Sequence, residues 1–259
     1  RGWTVTTWRP HFRALPRLRG IWACVSNRAK PRVADTVPVI AVDGPSGSGK
    51  GTISHMLADQ LGWHLLDSGA LYRVVGQACV IEGVSWDDEA DVTDIARHLE
   101  VDFRRAANGE VMVSYKGVDI SAKIRTEEGG RGASRVAAIP AVREALLARQ
   151  REFRRPPGLV ADGRDMGTVV FRDATLKIFL TASAAERAQR RYKQLIAKGE
   201  SVSLPRLLQD IEERDERDRN REVSPLVPAE DAIVIDSSDM PVETVFERVL
   251  QEVGKKGLI

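Results

Sequence analysis

Between Val39 and Thr52 the chain reads VIAVDGPSGSGKGT, an apolar, β-branched-rich run that gives way to three glycines, a proline, two serines and a lysine. Ile53, Met56, Leu57 and Leu61 then recur at helical spacing, so the local order is strand, loop, helix. Gly44, Gly47 and Gly49 can take positive φ and turn loop amides inward, and the following helix adds unpaired amides and a partial positive charge. Lys50 supplies a mobile full charge. Such a junction is built to hold an anion.

Gly44, four intervening residues, Gly49 and Lys50 match the nucleotide triphosphate P-loop, with Gly51 where Ser or Thr usually follows the lysine and Thr52 one position later. The departure removes the hydroxyl that would bind Mg²⁺ directly. ATPases, GTPases and kinases share this loop, so the acceptor must be read elsewhere. A regulatory GTPase is disfavoured because no Asn-Lys-x-Asp segment occurs.

The 259 residues suffice for one domain with a smaller insertion, and 42% hydrophobic with 29% charged residues is an ordinary globular balance. Cys24 and Cys79 form no close pair and the four histidines are scattered, so neither a structural zinc nor a disulfide framework is expected. No apolar run is long enough to span a bilayer. The net charge of +2 hides an asymmetry: residues 1–36 carry +7 and the remainder −5. That basic opening is expected to be a disordered extension, a transit segment or an arm for nucleic acid being the alternatives.

Trp63 to Leu66 reads as a second strand, followed by a turn at Asp67, Ser68 and Gly69 and a helix with Tyr72 and Arg73. Two such junctions suggest a parallel sheet. Residues 85–100 read as helix, and VDFRRAANGEVMVSYKGVDIS alternates around an Asn108-Gly109 turn, which predicts an antiparallel hairpin. A small inserted subdomain over about 85–135 follows, set in a core of 37–84 and 136–259. PGLVADGRDMGTVVF predicts a buried strand ending at Asp162, with ligands expected at its carboxyl end. TLKIFLTAS and DAIVIDSS predict two more strands, with a basic helix over about 184–200 between them.

LLQDIEERDERDRNR, taken alone, suits a solvated salt-bridge helix equally well. At helical spacing Arg214, Asp218 and Arg221 fall at i, i+4 and i+7, with Arg217 on another side. Two guanidiniums with a carboxylate between them could hold a phosphate and a ribose hydroxyl. Phosphoryl transfer needs such cations, and the planar fork of arginine suits it. Arg73, Arg164, Arg190, Arg191, Arg214 and Arg221 are the candidates.

Together GPSGSGKGT, DSGALYR, ASRVAAIPAVREALLARQREF, GLVADGRDMGTVVF and ERDERDRNREVSPLVPAEDA closely resemble bacterial-type cytidylate kinase, over most of the chain from about Val37. DGRDMGTVVF and ERDERDRNR are far more specific than the P-loop, and the likeness weakens at EEGGRGAS, where more helix-forming residues are expected. The resemblance implies an α/β P-loop NTPase parallel sheet with helices on both faces, a small antiparallel NMP-binding subdomain and a short lid around Arg187, Arg190 and Arg191. It implies transfer of the ATP γ-phosphoryl to CMP or dCMP in a cytoplasmic monomer without nucleic-acid or membrane partners. Gly44, Pro45, Ser46, Gly47, Ser48, Gly49, Lys50, Gly51, Thr52 and Arg190 would meet ATP. Ser68, Arg73, Arg164 and Arg221 would meet the CMP phosphate or transferred group; Ser134, Arg143 and Asp165 would read cytosine; Arg214 and Asp218 would lie near the acceptor sugar and phosphate. Lys50, Arg164, Arg214 and Arg221 are the expected catalytic residues. Mg²⁺ with ATP is the expected cofactor, met through water by Thr52 and Asp162. The nearest rival is a small-molecule kinase for UMP or AMP; the rival of another class is a nucleic-acid-binding module using the basic opening.

Overall fold

The structure, a computed structural model, describes residues 37–105, 111–197 and 199–259. The expected extension at 1–36 and the Asn108-Gly109 turn lie outside the described residues. In chain order, β1 (Val39–Asp43), α1 (Lys50–Leu61), β2 (His64–Asp67) and α2 (Ser68–Glu82) lead to α3 (Glu89–Arg97). The short strands β3 (Val101–Arg105), β4 (Val111–Tyr115) and β5 (Val118–Asp119) follow, then α4 (Glu127–Val136) and α5 (Pro140–Arg151). The chain ends with β6 (Leu159–Gly163), β7 (Leu176–Thr181), α6 (Ala184–Ala197), α7 (Leu204–Arg219), β8 (Ile233–Asp236) and α8 (Val242–Lys255).

β1 is buried along its whole length because it is paired on both edges, Ile40 standing opposite Val160 of β6 and Leu176 of β7. The sheet order is β2-β6-β1-β7-β8, all pairs parallel. Alternate residues of β1 serve two cores. Val39 and Ala41 join Leu71, Val74, Val142 and Leu146 of α2 and α5 on one face. Ile40 and Val42 join Ile53 and Leu57 of α1 and Val245, Val249 and Val253 of α8 on the other. A strand with helices on both sides must be apolar at every position, which is why VIAV shows no alternation. β3, β4 and β5 form a separate antiparallel sheet.

Three boundaries differ from those expected. β2 starts at His64, because the Trp63 amide donates to Ala58 O at 3.0 Å and so finishes α1. The helix expected over 85–100 is confined to Glu89–Arg97: Asp88 caps it by accepting from the Asp91 amide, and a turn from Ser85 to Asp88 precedes it. α7 stops at Arg219, so Arg221 lies beyond the helix rather than at its i+7 position.

The EEGGRGAS stretch is helical despite its glycines. Thr126 accepts the Gly129 amide at 3.1 Å, and Glu127 and Glu128 complement the positive end of α4. The glycines serve close approach: a Cβ on Gly132 would lie 2.8 Å from the Trp86 ring, and one on Gly129 would lie 2.8 Å from Lys123 O and 2.9 Å from Ile124 O. Gly129→Ala should therefore destabilise by about 1–3 kcal/mol through overpacking, although alanine is the better helix former. Thermal unfolding measures it, and a raised midpoint would contradict this packing.

Candidate active site

The carboxyl ends of β1, β2 and β6 open onto one cavity of about 220 Å³. Ser46, Lys50 and Gly51 form its donor-loop wall. Gly44, with φ +151°, leads into that loop where a Cβ would fall 2.0 Å from Leu180 O, so no other residue fits. Gly47 and Gly49 also have positive φ. The Lys50 ammonium donates to Pro45 O at 3.1 Å across the loop it helps to form. Burial, with Arg164 close by, lowers Lys50 to about 8, while Asp162 opposes the shift.

The opposite side of the cavity arises from three elements. Asp67 caps α2 by accepting the Ala70 amide at 3.0 Å, and its neighbour Ser68 is buried at the cavity wall. A turn later Arg73 donates to Ile124 O at 2.8 Å and to Thr126 O at 3.3 Å. After β6 come Arg164 and Asp165, and their loop is aimed by a residue the sequence reading did not single out. The Asp43 carboxylate accepts the Met166 and Gly167 amides, each at 2.8 Å, although burial pushes its pKa up to about 7.

From α7 comes Asp218, which accepts from Arg164 Nε at 3.0 Å and lies 2.8 Å from Arg221 Nη2. Burial opposes its ionisation, yet Arg164, Arg221 and Arg214 together hold it below the ordinary carboxylate value. Arg214 is lowered to about 10 by burial and by the neighbouring Arg164. Arg73 and Arg221 are also lowered, by burial first. Burial of several guanidiniums around one cavity is costly unless anions meet them there. The Arg73 and Arg214 guanidiniums both come up to Gly130, where a Cβ would stand at ordinary contact distance, 3.5 Å from Arg73 Nη1 and 3.6 Å from Arg214 Nη1.

At the far end, Arg143 and Asp165 form a buried ion pair, and Arg143 also donates to Ala137 O at 3.2 Å. The Arg143 guanidinium stands 5.6 Å from the Tyr72 ring centroid, a cation–π approach. Ser134 lines the same end, with Arg217 Nε at 3.4 Å from its hydroxyl.

One cavity thus brings together Ser46, Lys50, Gly51, Ser68, Arg73, Ser134, Arg143, Asp162, Arg164, Asp165, Arg214, Asp218 and Arg221. It does not include Gly44, Pro45, Gly47, Ser48, Gly49, Thr52 or Arg190 among its lining. Thr52 is exposed on α1. Arg190 is held at the end of β8, where it donates to Ser237 O at 2.5 Å and Ser238 O at 3.3 Å. Arg191 pairs with Glu127 of α4. Asp67 and Tyr72 line the cavity without having been singled out as site residues; the DSG turn was the available signal for Asp67.

The family profile described as Cytidylate kinase matches residues 40–255. A cytidylate kinase of Marinomonas sp. is 55% identical over 222 residues, 86% of this chain and 98% of its own. One of Shewanella frigidimarina is 56% identical over 225 residues, with 86% and 98% covered. One of Stutzerimonas stutzeri is 57% identical over 223 residues, with 86% and 97% covered. With the profile covering nearly all of the sheet and the cavity residues inside it, the chain belongs to the cytidylate kinase family.

Proposed function

We propose that the protein transfers the γ-phosphoryl group of ATP to the phosphate of CMP or dCMP, giving ADP and CDP or dCDP. The observation that carries this reading is the single cavity in which Lys50 faces Arg73, Arg164, Arg214 and Arg221, with Asp165 and Ser134 beyond them. The loop amides and Lys50 hold the donor phosphates, and the guanidiniums hold the acceptor phosphate against them. An acceptor phosphate oxygen is already anionic, so no strong base is required; alignment and charge neutralisation carry the catalysis. Asp165 has one oxygen engaged by Arg143 and can accept the exocyclic amine of cytosine with its other.

The residues fit Mg²⁺ carried with ATP. Asp162 is 8% exposed, and its Oδ1 is buried without a hydrogen-bond partner among the described residues. A Cβ on Gly51 would lie 3.3 Å from Asp162 Oδ2, so the glycine leaves the space beside that carboxylate to water. Asp162, with Asp67 opposite it in the strand register, would hold the hydrated ion; exposed Thr52 would not. When bound, Mg²⁺ offsets charge on the β and γ phosphates. β3 to β5 with α3 and α4 would form the acceptor-binding subdomain and the part of α6 beyond Arg187 the lid, their closure excluding water.

A coupled assay with ATP, Mg²⁺ and a panel of CMP, dCMP, UMP and AMP tests the function: CMP or dCMP should be preferred, and Asp165→Asn should reduce that preference by about 10-fold or more. Efficient use of AMP and not CMP would reject the reading. A second test is pH. Lys50 in the free protein is charged below about 8 and loses its proton above it. kcat/KM should therefore fall above pH 8 with single-proton slope, whereas kcat holds to higher pH because bound triphosphate keeps the proton on. A flat alkaline limb in kcat/KM would contradict the role of Lys50.

A further inference from the structure

α7 has the composition of a solvated helix, yet two of its three buried residues are aspartates, Asp215 and Asp218. Asp218 belongs to the cavity; Asp215 does not, and its partner is equally hidden. Arg187 of α6 is 2% exposed and Asp215 4%. The Arg187 fork donates to Asp215 Oδ1 at 3.1 Å and Oδ2 at 2.5 Å. The same guanidinium donates to Ser46 O of the donor loop at 3.1 Å and to Ala182 O at 2.9 Å. A Cβ on Gly47 would lie 3.3 Å from Arg187 Cβ, so the stem packs on that loop as well. Arg187 was expected to belong to a lid; in the structure its charge is spent on fixed partners in three elements.

Asp215 directly follows Arg214 and precedes Asp218 by three residues, so a hold on Asp215 sets the rotation of α7 about its own axis. That rotation decides where Arg214 and Asp218 point. Ser46 in turn lines the cavity on the donor side. Besides Asp215, α7 is pinned through Asp218 to Arg164 of the loop after β6, so the two aspartates together fix its angle. We propose that Arg187 and Asp215 are positioning residues that lock α7 to the donor loop, keeping the acceptor-phosphate cations in register with the donor phosphates. Neither Arg187 nor Asp215 is among the residues lining the cavity. The pair's effect is confined to the mutual placement of the two nucleotides, and a misplacement of about 1 Å at the reacting atoms costs on the order of 100-fold in rate.

The inference rests on the kinase reading, so CMP phosphorylation by the unaltered protein is measured first; its absence removes that reading, whereas the outcomes below concern the pair alone. Two variants are compared. Arg187→Lys keeps the charge and loses the fork. Arg187→Met with Asp215→Leu replaces the buried pair by apolar groups and avoids an unpaired charge. Affinities are measured for CMP alone, for a non-hydrolysable ATP analogue alone, and for a bisubstrate probe of adenosine and cytidine joined through five phosphates. Affinity for each single nucleotide should stay within about twofold, while the probe and kcat each lose about 10- to 100-fold. A merely structural role would lower the unfolding temperature without separating the probe from the single nucleotides. Unchanged probe affinity and kcat in either folded variant would overturn the proposal, as would parallel losses for all three ligands.

Discussion

Lys50→Ala should lower turnover by about 100- to 1000-fold, some 3–4 kcal/mol in the barrier, the scale of losing one preorganised electrostatic contact in a water-poor site. Lys50 stands at the only fully charged position of the donor loop, and burial has already stripped it of much of its solvation. Charge that develops on the migrating group thus meets an ammonium with little water to compete. The loop amides and the guanidiniums remain in the variant, so activity should not vanish. Its fold should also survive, since the substitution removes a buried cation whose protonation is already strained. A coupled spectrophotometric assay reads the effect, and turnover within about threefold of the unaltered protein would remove Lys50 from the chemistry.

Asp218→Ala should strongly destabilise the fold. The carboxylate is shared by Arg164 and Arg221, and both contacts are largely withdrawn from solvent. Its removal leaves Arg164 and Arg221 beside Arg214 without the carboxylate they share, which should cost about 3–5 kcal/mol. Chemical denaturation measures the loss. Adding CMP supplies an anion to the same cations and should raise the variant's midpoint more than it raises the unaltered protein's. A variant as stable as its parent would show that Asp218 bears no such load.

These expectations depend on residues of very different visibility in the sequence. The donor loop could be read because its parts are consecutive: strand, glycines, lysine and helix occupy one short stretch. β1 and β6 could be read because strands covered on both faces are apolar throughout. Asp43 could not, although it stands inside that same stretch, since its partners Met166 and Gly167 lie on a distant turn that no local pattern links to it. The same holds for Arg187. Its helix is basic and α7 is dense with charge of both signs, so spacing offers many equivalent pairings and only packing selects Asp215. For Arg190 and Arg191 the family resemblance implied donor and lid roles, and in the structure they meet Ser237 and Glu127. The glycines of EEGGRGAS looked unfit for a helix when weighed by propensity. They fit once the Trp86 ring and the carbonyls of Lys123 and Ile124 are in place.

The order of strands in the main sheet has a bearing on how the protein comes into being. β1 emerges early from the ribosome, yet both of its hydrogen-bonded neighbours, β6 and β7, are made only after the whole antiparallel segment and two further helices. Until Leu159 and later residues arrive, an apolar strand and the nucleotide cradle attached to it have no edge to settle against. Synthesis therefore passes through a long interval in which both hydrogen-bonding edges of this apolar strand wait unpaired, a period of exposure to aggregation that non-local parallel pairing imposes.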